Sequence, residues 1–117
     1  MASIAKDALA VRVLEHLNVL AAGATPADAD QALVEEYIDA AWSRLRALGY
    51  APFLLDDIPE WAQLQMCAIV SHDVAAKYGV TGQRLLELRS AADRAEFDLN
   101  RQVSGKKHKR RVRQEYF

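Results

Sequence analysis

From Trp61 to His72 the chain carries no formal charge when His72 is neutral, and its apolar residues fall on more than one side of a helix. A segment of this kind has to be covered on most sides. The other elements of a 117-residue chain must therefore pack around it, and a domain of roughly 100 to 150 residues is large enough to bury about two-thirds of its unfolded surface. Trp61, Leu64, Cys67, Ala68, Val70, Val74, Ala75 and Tyr78 form the main stripe of this helix, which is expected over about 59–78. Met66 and Ile69 point away from that stripe and are expected to meet another subunit.

Three further segments of helical length surround it, divided by Gly, Pro and Thr/Asp punctuation, and none alternates like a half-buried strand. The fold class is therefore all-α, a four-helix bundle. In the first helix, about 3–22, Leu9, Val13, Leu17 and Leu20 share a side, widened by Ala10, Leu14 and Ala21, and Gly23 is its expected stop. In the second, about 26–48, Thr25-Pro26-Ala27-Asp28 reads as a capping hydroxyl, a proline in the first turn and a carboxylate at the positive helix end. Leu33, Val34, Tyr37, Ile38, Ala41, Leu45 and Leu48 line its inner face, and Gly49 ends it. Phe53 and Leu54 are the expected anchors of the apolar connection that follows. In the fourth helix, about 82–103, Leu85, Leu88, Ala92, Ala95 and Leu99 have the spacing of a packing seam. Leu86 and Phe97, eleven residues and three turns apart, align on the opposite side and are expected to contact a neighbouring copy.

Residues 1–103 thus form the helical body, and 104–117 a separate, extended basic tail. The tail holds six Lys or Arg against Glu115 alone, a net +5, which leaves the rest of a chain of net charge −1 at −6. Such a split points to different partners for body and tail. Lys106, Lys107, Lys109, Arg110, Arg111 and Arg113 are the docking cations, and Tyr116 and Phe117 an aromatic end suited to a partner's pocket.

The chemistry-bearing residues do not assemble into a catalytic, cofactor-binding or metal-ligating set. Ser71-His72-Asp73 are consecutive, so on a helix they diverge by about 100° per residue and cannot converge on one atom. Glu35, Glu36 and Asp39 lack the Glu-x-x-His partner of bundle metal sites and read as a solvated face. His16, His72 and His108 are scattered, and no glycine-rich phosphate loop is present. Cys67, the only cysteine, sits in an apolar stripe as a small hydrophobe and leaves no disulfide framework. The opening MASIAKDALAVRVLEHL is broken by Lys6, Asp7, Arg12 and Glu15, so neither a signal core nor a membrane span is expected there.

Three stretches carry a resemblance: Ala24-Thr25-Pro26-Ala27-Asp28-Ala29-Asp30-Gln31-Ala32-Leu33, Asp56-Asp57-Ile58-Pro59-Glu60-Trp61-Ala62-Gln63-Leu64, and Ala75-Ala76-Lys77-Tyr78-Gly79-Val80. With the order of helices, packed loop and protruding tail, the chain resembles the head-to-tail adaptor proteins of tailed bacteriophages. The resemblance implies a non-enzymatic virion protein without a cofactor, made in the host bacterial cytoplasm. It would form a homo-oligomeric ring, commonly of twelve copies, beneath the portal protein. That ring would extend the DNA channel at the head–tail neck and receive the downstream tail proteins. The family's portal-docking segment maps onto Lys106 through Phe117. This end is more basic than in many relatives, which leaves portal, packaged DNA or both as its contact.

The competing expectation is a small nucleic-acid-binding regulator, with the body as dimeriser and the tail gripping phosphates. It lacks a basic recognition helix, because Arg44, Arg46, Arg84, Arg89, Arg94 and Arg101 are interleaved with acids.

Overall fold

The computed structural model describes the backbone of residues 3–115 and the side chains of residues 3–105. The chain is all-α, with α1 (Lys6–His16), α2 (Asp28–Ala47), α3 (Glu60–Val74) continuing into a 3-10 turn (Ala75–Tyr78), and α4 (Gly82–Glu115). Among the described residues no helix is long and apolar enough to cross a membrane.

The charge-free segment is α3, and it is the hub of the fold: α1 and α2 pack on each other and on α3, while α4 packs principally on α3. Val70, Val74 and Ala75 of the expected stripe are fully buried, but the covered surface also takes in residues outside that stripe and leaves one of its members out. Met66 and Ile69 are 0% and 1% exposed within a single copy, so they belong to the core and do not form a subunit contact. Leu64, expected in the main stripe, is 79% exposed. The physical reason is that a helix apolar on several sides gives periodicity no contrast to work with. Its register is set instead by what α1, α2 and α4 bring to it, including the fully buried Leu9, Leu14, Ile38, Leu45 and Leu99.

Three helical runs end in the same backbone device, a left-handed residue flanked by two chain-reversing hydrogen bonds. At the end of α1 the left-handed residue is Asn18 (φ 61°), with Asn18 N–H donating to Glu15 O (3.1 Å) and Val19 N–H to Leu14 O (3.0 Å). The helix thus stops before Gly23, and Leu20 and Ala21 fall outside it; asparagine is the non-glycine residue best able to hold this conformation. After α2, Gly49 N–H donates to Arg46 O (3.0 Å) and Tyr50 N–H to Leu45 O (2.9 Å). Gly79 and Val80 repeat the pattern on Ala76 and Ala75.

Helix α2 begins at Asp28 and not at Pro26; Ala27 precedes it in extended backbone, and no side chain caps it, so the Thr25 hydroxyl does not take the expected role. Asp28 and Asp30 in the first turn complement the helix dipole instead. Before α3, Ile4 and Ile58 exchange backbone hydrogen bonds at 3.1 and 2.8 Å, tying the N-terminal segment to the connection. Phe53 is buried and meets Trp61 edge-on at 5.9 Å, and its carbonyl accepts from Trp42 Nε1 at 2.9 Å. Phe53 anchors the connection as expected, whereas Leu54 is 61% exposed.

Helix α4 buries Leu88, Ala92, Ala95 and Leu99 in the core around the hub, and Val103 is buried beyond them. Among the described side chains of α4, burial ends at Val103, since Ser104 and Gly105 are exposed. That point is not where helical backbone ends, because α4 is continuous to Glu115 and the segment expected to be extended is helical that far. A single glycine in a helix interior costs only about 1 kcal/mol, so Gly105 is no sufficient stop.

Candidate functional site

The cations expected to dock, Lys106, Lys107, Lys109, Arg110, Arg111 and Arg113, lie on the last part of α4, with their side chains outside the described residues; Tyr116 and Phe117 lie outside them altogether. The arrangement that is described is the shaft leading to that end. Leu86 and Phe97 are each 59% exposed, on the side of α4 facing away from the inner stripe. They are separated by eleven residues, about 16 Å along the axis. Sequence spacing identified this pair, and among the described residues each stays more than half exposed.

Beside that ridge, where α3 meets α4, runs a groove of about 200 Å³ lined by Leu64, Gln65, Ala91, Arg94, Ala95 and Asp98. Sequence reasoning missed it, because it treated Leu64 as core. The signal that marks it is the small size of Ala91 and Ala95, which lets the space between the helices stay open.

A second, larger hollow of about 440 Å³ lies over α2 and α3, lined by Tyr37, Ala40, Ala41, Arg44, His72 and Asp73. Arg44 Nη1 pairs with Glu96 Oε1 of α4 at 3.0 Å, and His72 Nδ1 lies 3.6 Å from Asp73 Oδ1. Burial pushes the Asp73 carboxyl above its usual value, against the pull of Arg44 and His72. This is a mixed-charge seam that clips α4 to α2. Ser71 does not join it: its hydroxyl is fully buried, 3.9 Å from Cys67 Sγ, so serine and histidine of the consecutive trio face different surroundings. Burial raises the Cys67 thiol, which favours the unreactive protonated form.

The acidic cluster on α2 is more than a solvated face. Lys6 of α1 reaches Asp39 at 3.1 Å and Glu35 at 4.0 Å, and Gln31 Nε2 donates to Glu35 at 2.8 Å, so the carboxylates help dock α1. Among the described residues no group of three or more His, Cys, Asp or Glu is arranged to hold a metal ion. Several body arginines are engaged within the chain: Arg12 donates to Gln63 (2.8 Å), Arg84 to His16 O (2.9 Å), and Arg46 lies 4.9 Å over the Trp42 ring. No family model, curated protein or solved structure matches the chain.

Proposed function

We propose that this protein is a head-to-tail adaptor of a tailed bacteriophage: a structural protein that forms a ring beneath the portal, extends the DNA channel and offers the attachment platform for the tail. In this role the helical body makes lateral contacts in the ring. The basic end of α4 docks on the portal, and the site of action is the neck of the virion. The observation that carries the reading is the construction of α4. One helix supplies the packing seam up to Val103, an exposed apolar pair on its outer side, and then six cations in eight residues beyond the last buried residue described. A rod that leaves its own core and ends in concentrated charge suits a subunit reaching into a partner assembly.

The competing reading places phosphate contact on the tail, and the engagement of Arg12, Arg44, Arg46 and Arg84 by their own chain argues only against phosphate contact through the body. A body gripping phosphates would need such cations free to release counterions.

The test is deletion of residues 106–117. The shortened chain is expected to keep the helicity and thermal transition of the body but to stop joining portal-bearing heads, measured by co-sedimentation. Neutralising the six cations is expected to weaken joining in a salt-dependent way, and removing Tyr116 and Phe117 to weaken it at any salt. Undiminished joining by the deletion removes the docking role from the tail.

A further inference from the structure

Viewed down α4 at 100° per residue, the Leu86–Phe97 ridge and the groove residues Ala91, Arg94 and Asp98 lie about 100° apart around the helix. The two patches are thus distinct, and they are not diametrically opposed. A surface that paired with itself would give a closed two-fold dimer, whereas two different patches give a head-to-tail contact. A head-to-tail contact of this kind turns each successive copy in the same sense, and a ring results where that rotation closes.

We infer that the groove between α3 and α4 of one copy receives Phe97 of the next, with Leu86 and Leu64 extending the apolar contact. The inference rests on the ring-forming reading above and names the surfaces that would make the ring. Size and charge both support a second copy as occupant. The depression of about 200 Å³ is open to solvent, and its small Ala91 and Ala95 leave room for a phenyl ring to lie against it.

The ridge carries Asp93 one turn before Phe97 and Arg101 one turn after it, while the groove carries Arg94 and Asp98 one turn apart. With the two α4 helices parallel, Asp93 faces the neighbour's Arg94, and Arg101 faces the neighbour's Asp98. With them antiparallel, Asp93 meets Asp98 and Arg101 meets Arg94, which repel. The charges therefore select the parallel arrangement, in which the C-terminal ends of α4 from all copies emerge on one side of the ring.

The test uses the full chain, with assembly followed by sedimentation velocity over a range of concentrations. Asp93→Arg is expected to abolish higher-mass species, and adding Arg94→Asp to restore them. Neighbouring residues of one helix do not face each other, so rescue requires contact between copies. In a second arm, Leu64→Cys chains are mixed with Phe97→Cys chains, both carrying Cys67→Ser. Mild oxidation is expected to give the mixed disulfide dimer in at least severalfold excess over either homodimer.

Charge reversal without rescue, together with no preference for the mixed disulfide, overturns the interface. If such variants still form rings on portals, the adaptor reading stands and only this interface falls. If rescue and the mixed disulfide are seen without portal binding, the interface stands and the adaptor reading falls.

Discussion

Asn18 holds φ at 61°, where a side chain crowds its own carbonyl, and its position decides where α1 stops. Left-handed backbone costs ordinary residues about 1–2 kcal/mol and asparagine less. Asn18→Val is therefore expected to lower unfolding free energy by about 1–2 kcal/mol and Asn18→Gly to leave it unchanged or slightly higher, as read by urea denaturation. Glycine at 23 was the expected stop, but the helix-ending hydrogen bonds form earlier, at Asn18 and Val19, so the true stop was not read from the sequence. Gly49 directly follows Leu48 at the end of α2, whereas the third helix, expected to about residue 78, stops as an α-helix at Val74 and reaches Gly79 through a 3-10 turn.

Asp73 gives a prediction with a defined sign. Its carboxyl titrates above the ordinary 3.8 because burial disfavours the charge. The folded state thus binds that proton more tightly than the unfolded chain does. The contribution to stability is full below pH 3.8 and is lost as pH rises through the folded value. Asp73→Asn is expected to raise stability at pH 7, by less than about 1 kcal/mol given partial solvent screening. The advantage should vanish as both proteins are taken toward pH 3, which parallel denaturation curves at the two pH values would show.

At the scale of elements, α3 was legible as the buried centre because a dozen residues without charge can be nowhere else. Which of its residues faced inward was legible only in part: Val70, Val74 and Ala75 of the expected stripe are buried, but the rest of the inward side was not legible. Met66, Ile69 and Leu64 are all large and apolar, and only the shapes of α1, α2 and α4 distinguish them. The assignment is directly measurable: Met66→Ala is expected to cost about 2–5 kcal/mol through lost burial and a residual cavity. Leu64→Ala, at a site 79% exposed, is expected to change stability by no more than about 0.5 kcal/mol. Reversed magnitudes would mean that α3 is rotated from the position described. The α4 seam was easier to read, since Leu88, Ala92, Ala95 and Leu99 lie among polar residues that give periodicity its contrast.

At the scale of the whole molecule, the sequence shows a body of net −6 and a terminal segment of net +5, and the fold joins them through one continuous helix. The all-α class and the exposed Leu86–Phe97 pair could be read from spacing alone. The groove between α3 and α4 could not, because it exists only where two helices meet across small side chains. The adaptor reading unites the core seam, the outer ridge and the basic end of α4 in a single assembly role. Electron microscopy of the purified protein mixed with portal rings tests it most directly. The account predicts an additional coaxial ring of this chain on one face of the portal, formed by the full chain and lost when residues 106–117 are removed. Portal rings that stay bare at saturating concentrations of the full chain would contradict it.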